Sequence, residues 1–441
     1  MTDKMTRREF AKATAAGSIA TGMAPAFKAA AAEKSPVRVG FIGVGGRGTG
    51  LLKTMLEVSG VRIPAICDVI ENNAVKAQNI VEKTGQERPA SYTRGEYDFK
   101  RMLERDDLDG VIIATPWRWH IPMSIASMEA GVYVGCEVGP AMSVEECRDL
   151  VETHERTSTH CMLLENACYR RNMMAVLHMV RKGLLGELVH CRGGYLHDLR
   201  GRIVKGKGTG IELPGGGDYR TRQNRTRNGD IYPTHGLGPL AKCLNINCGN
   251  RFISIASTAT KSRGLRHWTV ENLGVEHEYA DTHWAMGDIV TSTIRCQNGE
   301  TILLTHDCAL PRPKTFQWLV QGTKGIYSEE TNAVHIDGRS PGHNWEPFEK
   351  YQEEFEHPLW KEYVKSGMKG GHGGSDFLEL RAFADCVRNK RPAPIDAYDM
   401  AVWMAITPLS EQSVAAGGTP VEFPDFTNGR WMSTQPFFAL T

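Results

Sequence analysis

The sequence predicts an α/β protein, with an N-terminal doubly wound parallel sheet followed by an α+β region built on a large, open, mostly antiparallel sheet. Three observations predict it. A β-branched run, Val37-Arg38-Val39-Gly40-Phe41-Ile42, leads straight into Gly43-Val44-Gly45-Gly46-Arg47-Gly48 and a helical pattern from Leu51. Short apolar strands and amphipathic helices then alternate as far as Leu164. Beyond the amphipathic segment Met173 to Leu185 the strands lengthen and few helices intervene, which is how an antiparallel sheet reads.

The first 32 residues stand apart. Thr6-Arg7-Arg8-Glu9-Phe10-Ala11-Lys12 precedes an Ala- and Gly-rich, weakly apolar stretch that ends in Lys28-Ala29-Ala30-Ala31-Ala32. This resembles a twin-arginine export signal with a small-residue cleavage site, so residues 1–32 are excluded from the fold and a periplasmic or secreted destination is expected. Cargo of that route crosses folded, and thiols need not become disulfides on arrival.

Residues 33–168 read as the nucleotide-binding domain. In strand, G-x-G-x-x-G, helix, Gly43 permits the tight turn, Gly45 lets backbone approach a pyrophosphate, and Gly48 lets helix and strand pack closely. Amides at the helix N-terminus face the phosphate charge, with Gly46 and Arg47 inside the same turn. A second strand, Val61 to Cys67, ends at Asp68, the spacing of an acid that accepts from a ribose 2′-hydroxyl and repels a 2′-phosphate. A Rossmann domain holding NAD rather than NADP follows. Further strands are expected at Gly110–Thr115, Val132–Cys136 and Cys161–Leu164, with helices at Ile121–Ala130 and Val144–His154. Strand ends in such a sheet point at the ligand, which gathers Trp117, Arg118, Trp119, His120, Glu137, Val138 and Asn166 at the nicotinamide end.

Residues 169–441 read as a substrate domain. Its strands are expected at Glu187–Tyr195, Arg251–Thr258, Asp288–Cys296, Thr301–His306 and Phe316–Gly322. Helices return at Phe377–Arg388 and Tyr398–Ser413, the second docking back on the nucleotide domain. Groups that could handle a sugar crowd its loops: Tyr195, His197, Arg220, Tyr232, His235 and His372. His306-Asp307, at a strand end, reads as a hydrogen-bonded core pair.

Composition narrows the function. The chain has 441 residues, and 52 Lys plus Arg against 51 Asp plus Glu give no general attraction to nucleic acid. No run after residue 32 reaches the roughly 20 apolar residues of a membrane span. The 11 cysteines are odd in number and lack paired spacings, so they read as buried thiols with no metal site. A broad apolar sheet face in the second domain would favour a homo-oligomer.

The motif order G-x-G-x-x-G, W-x-W-H, C-E-V, E-N-x-C-Y-R-R, G-G-Y-x-H-D, R-N-G-x-x-Y-P-T-H-G and P-D-F-T-N-G resembles glycoside hydrolase family 109, from Val37 to Trp431. These are NAD-dependent α-N-acetylgalactosaminidases within the glucose-fructose oxidoreductase (Gfo/Idh/MocA) superfamily. The resemblance implies tightly bound NAD, with Gly46, Arg47, Asp68, Trp117 to His120, Glu137, Val138 and Asn166 as its contacts. It implies substrate contacts at Tyr195, Arg220, Tyr232, Pro233, Thr234 and His235, and at Lys314, where a Tyr is usual. It further implies cleavage by transient oxidation of the sugar at C3, elimination across C1 and C2, water addition and re-reduction, with NAD restored at each turnover. Tyr232 and His235 are the candidates for the proton transfers, with their roles undivided.

Three positions depart from the family pattern, Arg118, Arg222 and Lys314, and all add positive character. This suggests an acidic or sulfated sugar, or a different N-acetylhexosamine. Two other readings compete. A periplasmic NAD(P)-dependent sugar oxidoreductase of the glucose-fructose oxidoreductase type is disfavoured because Val138 follows Glu137 where such enzymes carry a lysine motif. A non-catalytic sugar-binding scaffold would not need Tyr232, His235 and an intact glycine turn.

Overall fold

The computed structural model describes residues 35–206, 218–367 and 371–439. The twin-arginine segment lies outside them. Residues from Pro36 onward form one compact unit.

The first sheet has seven strands in the order β4-β3-β1-β5-β6-β7, with β2 also on β1, and all its pairings are parallel. They are β1 Val37–Ile42, β2 Val61–Arg62, β3 Ala65–Cys67, β4 Ala90–Tyr92, β5 Gly110–Ile113, β6 Tyr133–Glu137 and β7 Cys161–Leu164. The expected second strand is thus two pieces. Pro64 separates them because it has no N–H to donate, and Ile63 sends its own N–H to the Gln86 side chain. Central strands β1 and β5 are buried along nearly their whole length, as a sheet covered on both faces requires.

Among the described residues the second sheet has nine strands, in the order β15-β14-β13-β12-β8-β11-β10-β9-β16. They are β8 Leu188–Leu196, β9 Phe252–Ala259, β10 Ile289–Cys296, β11 Thr301–Asp307, β12 Leu319–Gly322, β13 Gly325–Ser328, β14 Ala333–Ile336, β15 Glu346–Pro347 and β16 Val421–Glu422. Only β8 and β11 run parallel, and their register sets Tyr195 beside His306. In β10, Val290, Ser292, Ile294 and Cys296 face inward, while Thr291, Thr293 and Arg295 alternate outward. On β10 the open face therefore carries hydroxyls and charge.

Both late helices return to the nucleotide half. Helix Ser375–Asn389 lays Phe383 over β5 and β6, where a Cβ on Gly135 would stand 3.0 Å from its ring. The second expected helix is divided into Ala397–Met404 and Ile406–Ala415. Its first part packs on helix Val144–Thr157, and its second on β9. All eleven cysteines carry free thiols, ten of them buried. Among the described residues no helix is long and apolar enough to cross a membrane.

Candidate active site

The glycine turn takes the form its sequence demands. Gly43 has φ +85°, and a Cβ there would lie 2.8 Å from the Ala114 carbonyl oxygen, so only glycine fits. A Cβ on Gly48 would lie 1.9 Å from the Gly43 oxygen, which is the close packing its position requires. By contrast, a Cβ on Gly45 or Gly46 would meet no atom within 4 Å. That open space sits over the start of helix Gly46–Met55, which no side chain caps. Asp68 closes the turn, accepting from the Val44 N–H at 2.8 Å through Oδ2 and from the Ile70 N–H at 2.8 Å through Oδ1. An uncapped, positively polarised helix end beside a ribose-type acid fits a dinucleotide.

A polar network marks the far end of that groove. Arg47 donates from Nε to Glu137 at 2.6 Å and from Nη1 to Asp376 at 2.8 Å. Asn166 Nδ2 donates to Asp376 at 2.6 Å, and His372 Nδ1 stands 2.9 Å from the same carboxylate. Although burial opposes it, the contacts with His372 and Arg47 hold Asp376 far below the usual carboxylate range. Burial wins at Glu137, whose pKa is raised despite Arg47. Sequence reasoning named Arg47, Glu137 and Asn166 but missed Asp376. The signal was its place one helical turn after His372.

An aromatic cluster adjoins this network. The Tyr232 ring centre lies 5.4 Å from Trp117, 4.5 Å from Tyr195 and 5.1 Å from His235. The Arg220 guanidinium stands 4.7 Å from the Trp117 ring centre and 5.1 Å from that of Tyr232. Bare backbone brings these groups together: a Cβ on Gly236 would be 2.4 Å from the Gly194 nitrogen, so helix Thr234–Cys243 lies directly on β8. This explains why G-G-Y and Y-P-T-H-G occur in one chain.

His235 Nδ1 is held 2.6 Å from Oε1 of Glu165, a fully buried carboxylate at the end of β7. The other ring nitrogen is left for a ligand. Glu165 also accepts from the Ala167 N–H, at 3.0 Å. Sequence reasoning passed over Glu165 in favour of its neighbour Asn166. Burial outweighs Arg220 at Tyr232 and lifts its pKa well above that of a free tyrosine, while Tyr195 rises to about 12. Both tyrosines therefore keep their phenolic protons at neutral pH.

The other expected site residues differ in their surroundings. His120 is buried, with Nε2 at 2.9 Å from the Thr115 carbonyl oxygen, and desolvation lowers its pKa to about 4. Trp119 packs on Tyr97 and Phe99. Arg118 is paired with Glu96, and Arg222 lies exposed, so neither adds unbalanced charge to the aromatic cluster. Pro233, Thr234 and Val138 are buried. Lys314 is near the cluster, 5.4 Å from the Phe316 ring centre. His306 and Asp307 do not bond each other: Asp307 takes Arg312 at 2.7 Å, while burial and Arg220 push His306 down to about 3.

A parallel sheet with an open glycine turn, joined to a sheet that carries this tyrosine, histidine and arginine cluster, defines an NAD-dependent enzyme acting on carbohydrate. A profile described as the oxidoreductase family NAD-binding Rossmann fold matches residues 37–164, and one described as glycosyl hydrolase 109, C-terminal domain, matches residues 169–433. An alpha-N-acetylgalactosaminidase from Tannerella forsythia is 45% identical, covering 99% of each chain. A glycosyl hydrolase family 109 protein from Stenotrophomonas maltophilia is 47% identical, covering 99% of this chain and 98% of its own. Among solved structures, levoglucosan dehydrogenase in complex with NADH and levoglucosan superposes with a TM-score of 0.62 at 20% identity, over 89% of this chain and 100% of its own, a likeness of fold. The chain belongs to glycosyl hydrolase family 109, and it is an NAD-dependent glycosidase.

Proposed function

We propose that this enzyme releases terminal α-linked N-acetylgalactosamine, or a closely related N-acetylhexosamine, with Tyr232 and His235 exchanging the protons. The observation that carries this is the Glu165-anchored His235 facing Tyr232 beside the strand ends of the nucleotide domain. The activity named for the 45% identical relative supports the choice of sugar.

Gly45, Gly46, Asp68, Arg47 and Asn166 would hold the NAD. When bound it would take the hydride from a sugar hydroxyl carbon while the hydroxyl proton leaves to solvent, giving a ketone that acidifies the adjacent C–H, and would later return the hydride as the oxygen takes a proton back. The chain's own residues manage the rest. Arg220 and Tyr195 orient the ring hydroxyls. His235, fixed through Nδ1 by Glu165, takes the C2 proton at Nε2. Tyr232, protonated and with its ring centre 5.1 Å from the Arg220 guanidinium, gives its proton to the departing C1 oxygen, and the guanidinium charge favours the phenolate left behind. When water adds at C1 the two residues reverse roles, so each ends the cycle as it began.

Purified protein without added cofactor should release p-nitrophenol from its α-N-acetylgalactosaminide faster than from α- or β-linked N-acetylglucosamine and galactose glycosides. No release, together with net absorbance change at the nicotinamide band on incubation with free sugars, would overturn the reading in favour of an oxidoreductase.

The export route belongs to the same proposal. A twin-arginine leader, Thr6 to Lys12, suits an enzyme that loads NAD before leaving the cytoplasm and restores it at every turnover. Replacing Arg7 and Arg8 with Lys should retain the protein inside the cell. Assembly with a second copy is part of the same proposal, and light scattering of the mature protein decides it.

A further inference from the structure

Two cations at the edge of the aromatic cluster form no close ion pair, although the charge of Glu329 acts on both. The Arg170 guanidinium lies 4.7 Å, and the Lys314 ammonium 5.4 Å, from the ring centre of Phe316. Phe316 in turn lies 5.8 Å from His235 and 6.2 Å from Tyr195. Among the described residues neither cation forms an ion pair or a side-chain hydrogen bond. Their neighbours do: Arg171 pairs with Glu356, Arg312 with Asp307 and Arg192 with Glu330.

A ring face attracts a cation but satisfies none of the five N–H donors of a guanidinium. The nearby acid, Glu329, braces the loop, its Oε2 accepting from the backbone N–H of Phe316 at 3.0 Å and of Trp318 at 3.3 Å, and its charge offsets part of that of the two cations without a direct contact. Partial desolvation and the charge of Arg170 lower the Lys314 pKa. Lys314, Arg202 and Arg220 all act in the same sense on His197, whose buried Nδ1 has no partner. Cations held near one another, half-desolvated and beside a binding cluster, create a local demand for negative charge.

We propose that Arg170 and Lys314 form an anion subsite for an oxyanion carried by the glycoside, either a sulfate ester on the sugar or a carboxylate on the group attached to it. This rests on the glycosidase reading above, and it differs from the sequence-based charge argument in its residues. Arg118 and Arg222 drop out and Arg170 enters.

The test compares kcat/KM of the purified holoenzyme for three probes: neutral p-nitrophenyl α-N-acetylgalactosaminide, its 6-O-sulfate, and the glycoside of a carboxylated nitrophenol. At low salt one anionic probe should exceed the neutral one by about tenfold, through KM, the size of a single charge-assisted contact. Which probe does so separates sugar from aglycone. Added NaCl should shrink the ratio, and Lys314→Gln and Arg170→Gln should each bring it toward one, whatever the overall rate of the variant. Equal or better turnover of the neutral probe overturns the subsite, and a ratio untouched by both substitutions overturns its assignment to these residues. If no glycoside is cleaved, the glycosidase reading falls. Calorimetric binding of N-acetylgalactosamine 6-sulfate against N-acetylgalactosamine then decides the subsite by itself, tighter binding of the sulfate supporting it and equal binding ending it.

Discussion

Glu165 is fully buried and holds Nδ1 of His235 at 2.6 Å, while the histidine ring still reaches the aromatic cluster. In the proposed mechanism the carboxylate fixes the tautomer of the ring and stabilises the imidazolium formed when His235 accepts a proton. Glu165→Gln keeps the shape and removes the charge. Loss of a hydrogen bond to a charged partner is worth about 2 kcal/mol, so kcat should fall about thirtyfold with KM little changed. Steady-state kinetics on a variant whose thermal unfolding matches the parent would check this, and an unchanged kcat would remove Glu165 from the mechanism.

The contact of helix Thr234–Cys243 with β8 has no room for a methyl group. At Gly236 an added Cβ would lie 2.4 Å from the Gly194 nitrogen and 2.6 Å from its Cα. Both are backbone atoms, which cannot rotate away. Gly236→Ala should therefore cost about 1–3 kcal/mol by overpacking and push His235 and Tyr232 away from Tyr195. Differential scanning calorimetry should show a lower Tm and kinetics a loss of activity. Parental values in both would mean that the helix shifts without consequence.

Much of this arrangement was legible because local constraint and function coincide. Gly43, Gly48 and Asp68 are fixed by one turn and its sheet, so a short motif reveals them. The block Tyr232 to His235 likewise announces itself. Glu165 and Asp376 were harder. Each reaches its partner only in three dimensions, Asp376 meeting Arg47 across 329 positions of sequence. Composition cannot tell such a carboxylate from a solvated one. The same limit misled the charge argument, since nothing in the sequence pairs Arg118 with Glu96 or turns Arg222 outward. Strands β13 and β14 escaped notice because four-residue runs around Gly325 and Asn332 carry too little periodicity.

Asp68 braces the glycine turn and is the acid proposed to meet the ribose. Its two oxygens accept from Val44 and Ile70, each at 2.8 Å. Asp68→Ala removes both braces and the charge that repels a 2′-phosphate. The purified variant should retain less NAD, read from its nucleotide absorbance, and its preference for NAD over NADP on reconstitution should narrow by about tenfold or more. Unaltered retention and preference would place ribose recognition elsewhere.

Asp230 makes stability depend on pH. It is fully buried just before Tyr232, whose N–H it accepts at 3.0 Å, and burial raises its pKa to about 7. The folded protein keeps this proton up to about pH 7, whereas the unfolded chain releases it near pH 4, at about 3.9. Between those values the folded state binds more protons than the unfolded state, so the contribution of this group to stability falls as pH rises and levels off above pH 7. Asp230→Asn retains an acceptor for Tyr232 and cannot ionise. The Tm of the variant relative to the parent should therefore rise from pH 5 to about pH 7 and level off toward pH 8. A constant difference across that range would mean that Asp230 is already ionised in the folded protein, and that burial does not control its proton.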